Sequence, residues 1–327
     1  MKVGVWIPCY RRWVKGPQAK ALATAAEALD FGSLWVQDHL VAPLGEAGDE
    51  VELQASWLSP DDYGNESFSA VEYFGEENWW LDPYALWGYL AGCTTEVELG
   101  SCIIVGPYRD PIVQAKMLGT LDVLSGGRML YGVGAGHVPG EFEALGRDYS
   151  ARGRRLDEYL DVMDKLLTNP QFSHQGESVQ LGEVLSLIQP VSDPRPPFLI
   201  GGGSKAAVRR AVRRGEGWIP AHVAPGELKK GIDYLEEFAA AEGKPVPEIT
   251  VTLVWGIADP LKGAPSSSRR SFMSIAEATD LLGQYADLGV KRLAIDMPNP
   301  NQDILVRQYE LLAEAAGQTG ALRSSEA

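Results

Sequence analysis

The stretch Leu124-Ser-Gly-Gly-Arg-Met-Leu-Tyr-Gly-Val-Gly-Ala-Gly-His-Val-Pro-Gly-Glu-Phe-Glu-Ala-Leu-Gly146 decides the fold, because it predicts a turn, a buried strand and a glycine-rich strand end in succession. Gly132, Gly134 and Gly136 alternate with small apolar residues at that strand end. A glycine within a strand marks a place where a ligand or another backbone approaches closely. Two interpretations are therefore open: a flat ring lying against the glycines, or a strand packed tightly against its neighbours. The spacing does not match the dinucleotide-binding fingerprint, because Pro139 stands where a third glycine is needed.

The same alternation of strand and helix recurs along the chain. Short apolar runs without polar alternation are typical of strands buried on both faces. Eight such strands are predicted, nearly all followed by a helix: Val3–Pro8, Ser33–Gln37, Val97–Val105, Met129–Val133, Phe198–Ile200, Trp218–Pro220, Ile249–Ile257 and Arg292–Ile295. Eight units predict an α/β protein with a (β/α)₈ TIM barrel over residues 1–316. A doubly wound open sheet is the competing fold, and the strand count and the missing fingerprint disfavour it.

Two segments interrupt this alternation and are predicted to be insertions. Residues 44–81 follow the second strand and are rich in acidic and aromatic side chains, so we expect a lid over the site or a subunit contact. Residues 172–190 precede the fifth strand and contain a predicted hairpin. The tail, residues 317–327, is predicted to be disordered.

Composition limits the classes of partner. The chain has 327 residues, and its 29 basic and 44 acidic residues give a formal charge of −15, which disfavours nucleic acid and anionic membrane surfaces. Cys9, Cys93 and Cys102 are unevenly spaced and predict neither a disulfide framework nor a zinc site. No signal peptide and no apolar run of membrane-spanning length is recognised, so a cytoplasmic protein is expected.

Polar residues at predicted strand ends are the candidates for chemistry, because barrel enzymes hold their sites at the carboxyl ends of the strands. Asp38 and His39 follow the second strand, and an imidazole exchanges protons near neutral pH. The structural alternative is that Asp38 caps a turn and His39 fills a polar gap. Cys102, at the end of the third strand, is interpreted as a small buried apolar residue and not as a nucleophile. The four histidines are scattered, so no metal site is predicted.

Gly201, Gly202, Gly203 and Ser204 lie between the fifth strand and a helix, where free amides form an anion site suited to phosphate. Positive charge nearby is supplied by Lys205, Arg209 and Arg210. The alternative is an ordinary tight turn between strand and helix.

Five motifs, taken in order, resemble the bacterial luciferase-like superfamily. They are Trp35-Val-Gln-Asp-His39, Leu121-Asp-Val-Leu-Ser-Gly-Gly-Arg128, Gly132-Val-Gly-Ala-Gly136 with Glu141-Phe-Glu-Ala-Leu-Gly146, Ile200-Gly-Gly-Gly-Ser204, and Arg214-Gly-Glu-Gly-Trp218. The resemblance covers most of residues 1–320 and implies a barrel, usually dimeric, that binds FMN or the deazaflavin F420 at its C-terminal mouth. The Asp-His pair resembles the F420-dependent branch.

The resemblance also implies roles for individual residues. Asp38 and His39 would lie beside the reactive part of the deazaflavin, and the bond between Cys102 and Ile103, after Ser101, would be a non-proline cis peptide that supports the ring. The ring would face the strand end at Gly134, Ala135 and Gly136, and the phosphate end would reach the loop that begins at Gly201. His137 stands where F420-dependent sugar-phosphate dehydrogenases carry an acidic glutamate, so it would donate a proton or contact ring or substrate. Pro43 stands where those enzymes have a tryptophan, which argues against their substrate.

The function expected from these observations is hydride transfer between F420 and a small organic substrate, in a homodimer. A monooxygenase of the same fold that uses reduced FMN is the first alternative. A non-catalytic flavin-binding barrel is the second.

Overall fold

The computed structural model describes residues 1–44, 51–52, 67–68, 79–260, 272–297 and 300–322. Eight parallel strands surround the centre of the molecule: β1 Lys2–Trp6, β2 Ser33–Val36, β3 Glu98–Ser101, β4 Met129–Gly134, β5 Phe198–Gly201, β6 Gly217–Ile219, β7 Glu248–Val254 and β8 Arg292–Asp296. Each strand pairs with the next, and β8 pairs with β1, so the sheet is closed. The predicted (β/α)₈ barrel is confirmed, and the open sheet is excluded.

Helices cover the outside of the barrel. Those in the described part of the chain are α1 Gly16–Ala28, α2 Pro83–Ala91, α3 Pro111–Ser125, α4 Pro139–Ala144, α5 Arg152–Thr168, α6 Lys205–Arg214, α7 Pro225–Glu242, α8 Ile275–Asp287 and α9 Gln302–Thr319. Two of them, α2 and α3, begin at a proline preceded by an aspartate cap; Asp110, for example, accepts a hydrogen bond from the Ile112 amide at the start of α3. The short helix α4 was not predicted, and it carries a residue of the candidate site.

Two predicted strands are interrupted. The third was expected to run from Val97 to Val105, but a cis peptide bond between Cys102 and Ile103 divides it into β3 and the two-residue strand Ile104–Val105. The short strand pairs with β4. The seventh was expected to reach Ile257, but β7 ends at Val254, and Gly256–Ile257 pairs with Phe272–Met273 instead. Both interruptions lie at the carboxyl end of the barrel.

The barrel interior is filled by side chains, not by a channel. Trp35 of β2 is fully buried and donates from Nε1 to Ser33 Oγ over 2.8 Å. A β-carbon at Gly4 or Gly100 would overlap the Trp35 indole, so these two glycines make room for it. At the amino end of the barrel, Arg292 bridges Glu98 and Glu248 at 3.0 and 2.7 Å. That end is closed by an ion-pair network.

The predictions for the two insertions and for the C-terminal tail can now be compared with the structure. The second insertion is confirmed as a hairpin, formed by Gln171–Gln175 and Gln180–Leu185. Of the first insertion, only the paired strands Val51–Glu52 and Ser67–Phe68 and residues 44 and 79–81 are described, so the predicted lid or contact lies mainly outside the described residues. The predicted disordered tail is wrong up to residue 322, because α9 continues to Thr319 and the carbonyl of Ala321 accepts a hydrogen bond from Val3. None of the described helices has the length and apolar character needed to cross a membrane.

Candidate active site

His39 lies beyond β2 at the carboxyl end of the barrel, and its ring is held by a carboxylate. Nδ1 of His39 is 2.6 Å from Oε2 of Glu141 in α4. Both side chains are nearly inaccessible, with 6% of His39 and none of Glu141 exposed. An ionised carboxylate can only accept hydrogen bonds, so Nδ1 is the donor, and Nε2 is the nitrogen that carries no proton in the neutral ring.

Glu141 is fixed by two further groups. Its Oε1 accepts from the amide of Leu40 at 2.7 Å, and its Oε2 accepts from the hydroxyl of Tyr108 at 2.8 Å. Burial alone would raise the pKa of Glu141, but the hydrogen bonds from His39, Leu40 and Tyr108 outweigh it and lower the pKa. Glu141 is therefore a charged, oriented partner for the imidazole.

His137 and Trp80 contact the His39 ring from two sides. The ring centroids of His39 and His137 are 5.8 Å apart, those of His39 and Trp80 are 4.7 Å apart, and both pairs are nearly perpendicular. Burial, with a smaller contribution from His39, lowers the pKa of His137 to about 4. The structure thus brings the two predicted histidines together, and His137 is uncharged at neutral pH.

Asp38 forms an ion pair with Arg109 in which its own carboxylate is fully buried. Two nitrogens of Arg109 lie 2.6 and 2.9 Å from its carboxylate oxygens, and the amide of Val105 donates to it at 3.1 Å. Arg109 also contacts Asp82, the cap of α2, at 2.8 Å. Burial raises the pKa of Asp38, and the Arg109 guanidinium opposes that rise. These contacts tie the end of β2 to the segment after β3 and position both at the barrel mouth; the catalytic role predicted for Asp38 stays a prediction.

The cis peptide that the resemblance implied is present between Cys102 and Ile103. Burial raises the pKa of the Cys102 thiol far above its ordinary range, and the Thr252 side chain opposes that rise. Ser101 Oγ donates to the carbonyl of Gly132 at 2.7 Å and holds the end of β3 on β4. The thiol is therefore unsuited to nucleophilic chemistry, as the sequence indicated.

The glycines of β4 are explained by close packing. A β-carbon at Gly132 would overlap the Ser101 carbonyl, and one at Gly134 would overlap Ile103. At Gly136 it would come within 2.6 Å of Val105, and the backbone φ of 87° there also favours glycine. Of the two interpretations left open by the sequence, tight strand packing accounts for all three positions. Ala135, between the last two, is half-buried.

The loop from Gly201 to Ser204 leads into α6 with a capped helix start. Ser204 Oγ accepts from the amide of Ala207 at 3.2 Å, and Gly202 has a φ of 126°, which favours glycine. The backbone of Gly202 is itself bonded, since its amide donates to the carbonyl of Ile219 and its carbonyl accepts from Trp218 Nε1. Arg210, expected to add positive charge here, instead pairs with Asp157 of α5 at 2.7 Å.

Sequence reasoning missed the roles of Glu141, Tyr108 and Arg109. Glu141 was recognised only as part of a family motif. A signal existed, because a carboxylate four residues after His137 returns to the same face if a helical turn follows the strand. The partners of His39 and Asp38 lie 102 and 71 positions away in the chain, and no local pattern connects residues at such separations.

The closed barrel carries a buried, carboxylate-held histidine at the carboxyl end of its strands, where barrel enzymes hold their sites. Residues 1–258 match the family described as luciferase-like monooxygenase, and the chain belongs to that family.

Two of the proteins that resemble this chain in sequence or in fold are named for different cofactors. An uncharacterized protein of Mycobacterium tuberculosis is 29% identical over 227 residues, which cover 69% of this chain and 73% of that protein. The FMNH₂-dependent dimethylsulfone monooxygenase of Pseudomonas putida is 29% identical over 160 residues, covering 48% of this chain and 44% of that protein. The solved structure of an F420-dependent secondary alcohol dehydrogenase with an F420–acetone adduct superposes with a TM-score of 0.75 at 16% identity, covering 96% and 98% of the two chains. Its likeness concerns the fold.

Proposed function

We propose that this protein is an F420-dependent oxidoreductase that transfers a hydride between the deazaflavin and a small organic substrate. The observation that carries the proposal is the geometry of His39, whose Nδ1 is committed to Glu141. Oxidation of an alcohol to a carbonyl releases a hydride from carbon and a proton from oxygen, so a base must stand beside the hydride acceptor. Nε2 of His39 would take that proton in the oxidation and return it in the reduction.

The residues at the mouth fit a flat ring with polar edges. Nε1 of Trp6, at the end of β1, and Nε1 of Trp255, just after β7, are buried and have no hydrogen-bond partner among the described residues. A buried donor without an acceptor costs about 1–3 kcal/mol, so ring carbonyl oxygens of a bound cofactor would relieve a cost present in its absence.

Roles for the remaining residues follow from their positions. The loop from Gly201 to Ser204 would hold the phosphate end at the start of α6. Ser101, Cys102 and Ile103, with Ala135 at the end of β4, would bound the ring. His137, uncharged at neutral pH, would donate a hydrogen bond to ring or substrate rather than supply a proton from an imidazolium. When bound, F420 supplies the hydride chemistry.

An FMN-dependent monooxygenase is the second candidate, and a specific observation favours it. The Pseudomonas putida relative that shares 29% identity over 160 residues is named as FMNH₂-dependent. His39 would then serve to orient substrate or cofactor.

Cofactor titration tests the proposal. The purified protein is titrated separately with F420 and with FMN, and the fluorescence of each cofactor reports binding. We expect saturable binding of F420 and a much weaker response to FMN. Tight binding of FMN with no response to F420 would reject the proposal in favour of the second candidate. With F420 bound, His39→Ala should keep the affinity and lose turnover across a panel of small secondary alcohols and ketones; absence of turnover in the unaltered protein as well would favour a non-catalytic barrel.

We further propose that the protein is a homodimer in a reducing, cytoplasmic environment. Val113, Val123 and Leu124 of α3 are large apolar side chains exposed by 52%, 44% and 68%, and a second copy would cover them. All three cysteines are unpaired thiols. Light scattering of the purified protein gives the mass in solution, and a monomer at micromolar concentration would reject the dimer.

A further inference from the structure

A cavity lies between the start of α5 and the hairpin that precedes β5. Its volume is about 500 Å³, and its lining includes three arginines, Arg147, Arg154 and Arg155. Tyr159 and Ser178 contribute hydroxyl groups to the same lining. We call this cavity the arginine pocket. None of its lining residues was given a role in the function proposed above.

The charge of the arginine pocket opposes that of the chain, which is −15 overall. The acidic group in the lining is Glu177, whose carboxylate is 3.8 Å from Arg154 with 75% of its side chain exposed. Asp148 is close enough for Arg155 to contribute to the lowering of its pKa, which comes first from hydrogen bonds to Ser150. The lining therefore carries three guanidinium groups and one carboxylate, that of Glu177.

Arg155 carries the strongest indication of a missing partner. Its Nη1 atom is buried and makes no hydrogen bond to any described residue. A buried guanidinium donor without an acceptor is costly, because its desolvation is uncompensated. Arg147, by contrast, donates from Nη1 to the hydroxyl of Tyr159 at 3.0 Å. The arginine pocket thus contains both a fixed donor and one that lacks an acceptor.

The wall opposite the arginines is rigidly built. The carboxylate of Glu158 in α5 accepts from the amides of Ser178 and Val179, both at 2.8 Å, and contacts His174 at 3.1 Å. These bonds hold the turn of the hairpin against α5. The arginine pocket is therefore bounded by fixed backbone on one side and by long cationic side chains on the other.

A single helix connects the arginine pocket with the barrel mouth. Arg152, three residues before Arg155 on α5, donates from Nε to the carbonyl of Gly136 at 3.1 Å, at the end of β4. Residues three apart on a helix lie on one face within about one turn, roughly 5 Å. A ligand that occupies the mouth and carries an extended anionic arm could therefore reach the arginine pocket along α5.

We infer that the arginine pocket binds a polyanionic chain of carboxylate or phosphate groups, held by Arg154 and Arg155. Bidentate guanidinium contacts suit both anions. The γ-linked glutamates that follow the phosphate of F420 are one source of this chemistry, and a free polycarboxylate is the other. The first source rests on the proposed function; the second does not. FMN, which ends at its phosphate, has no such arm.

Three probes and matched variants test the inference. The probes are F420 with its full arm, the deazaflavin core without phosphate or glutamates, and free tri-γ-glutamate, each titrated into the full chain by fluorescence or calorimetry. The variants are Arg154→Gln, Arg155→Gln and the double substitution. Arg213→Gln is the control, because it removes one positive charge from an exposed pair with Glu242 outside the arginine pocket. The Arg154 side chain is 70% exposed, so Arg154→Gln leaves the fold intact even if loss of Arg155 does not.

We expect the double variant to bind F420 with its full arm about tenfold more weakly than the unaltered protein does, because charge-assisted hydrogen bonds are lost. The affinity for the core should not change, and Arg213→Gln should affect neither. A second outcome is that tri-γ-glutamate binds and needs Arg154 or Arg155, whereas the affinity for F420 is the same in all variants. The arginine pocket then binds a free polyanion and not the arm of F420. If tri-γ-glutamate binds in this way and F420 does not bind at all, the proposed function is rejected and the polyanion site is retained. The inference would be overturned if the unaltered protein, Arg154→Gln and the double variant all bound F420 with one affinity and also bound tri-γ-glutamate with one affinity.

Discussion

Nδ1 of His39 lies 2.6 Å from Oε2 of Glu141, although the two residues are 102 positions apart in the chain. The carboxylate accepts the Nδ1 proton and so selects the imidazole tautomer whose Nε2 is unprotonated. Tyr108 donates to the same oxygen at 2.8 Å and restricts the movement of the carboxylate. A histidine oriented in this way resembles the base of a catalytic triad in which an acid positions an imidazole.

The first prediction concerns Glu141→Gln, which keeps the size of the side chain and removes its charge. General acid–base catalysis contributes about 100-fold to 10,000-fold in rate, so we expect turnover to fall at least about 100-fold. Cofactor affinity should stay within about twofold, because Glu141 contacts His39 and not the cofactor loop. Steady-state kinetics and fluorescence titration measure the two quantities.

A spectroscopic control separates positioning from general damage to the fold. In ¹⁵N-labelled protein, the ring nitrogens of His39 should report protonation at Nδ1, and this preference should weaken in Glu141→Gln. Tyr108→Phe, which removes one hydrogen bond and leaves the charge, should reduce turnover less. Full turnover in Glu141→Gln would show that the pair has no part in the reaction.

The second prediction concerns the ion pair of Asp38 and Arg109. Removing one partner of a buried pair costs about 3–5 kcal/mol, because the other charge is left without compensation. We therefore expect Arg109→Gln to lower the free energy of unfolding by about 3 kcal/mol in urea titrations. Combining it with Asp38→Asn should recover part of this loss, since no charge then remains buried. Arg213→Gln, which breaks an exposed pair with Glu242, should lower the free energy of unfolding far less than Arg109→Gln does. A similarly small loss in Arg109→Gln would contradict the positioning role.

The barrel could be predicted from the sequence because each strand carries its own local signal. Short apolar runs such as Phe198–Gly201 occur at regular intervals, and helix starts such as Asp110-Pro111 separate them. The interruption of β3 could not be predicted from local preference, since Ser101 to Val105 is an unbroken run of strand-forming and small residues. It was expected only through the family resemblance.

The candidate site was predicted in part. His39 and His137 could be found because both follow a strand end, where barrel sites lie. Their partners could not, because which acid reaches which base depends on tertiary distances. Asp38 illustrates the limit: its position next to His39 could be found in the sequence, but its ion pair with Arg109, 71 positions away, could not.

The third prediction concerns pH. The pKa of His137 is lowered from 6.5 to about 4 by burial, so between these values the unfolded chain takes up a proton that the folded protein does not. The contribution of His137 to stability is therefore complete above about pH 6.5 and decreases as the pH falls toward 4, by about 3 kcal/mol at most. His137→Gln removes this dependence. The free energy of unfolding of both proteins is measured in urea at several pH values between 7 and 4.5. The two values should converge as the pH falls, and a constant difference between them would contradict the shifted pKa.

The fourth prediction tests why β4 contains glycine. A β-carbon at Gly134 would overlap Cδ1 of Ile103, so Gly134→Ala should lower the free energy of unfolding by about 1–3 kcal/mol, the usual cost of overpacking. Valine lacks that δ-carbon, and Ile103→Val alone should cost about 0.5–1.5 kcal/mol. The double variant should therefore be more stable than Gly134→Ala alone.

Gly132→Ala provides the contrast, because its β-carbon would meet the backbone carbonyl of Ser101, which no substitution at Ile103 relieves. Urea titrations of the four variants give the coupling energy, and a value near zero between positions 134 and 103 would refute packing as the reason for glycine at Gly134.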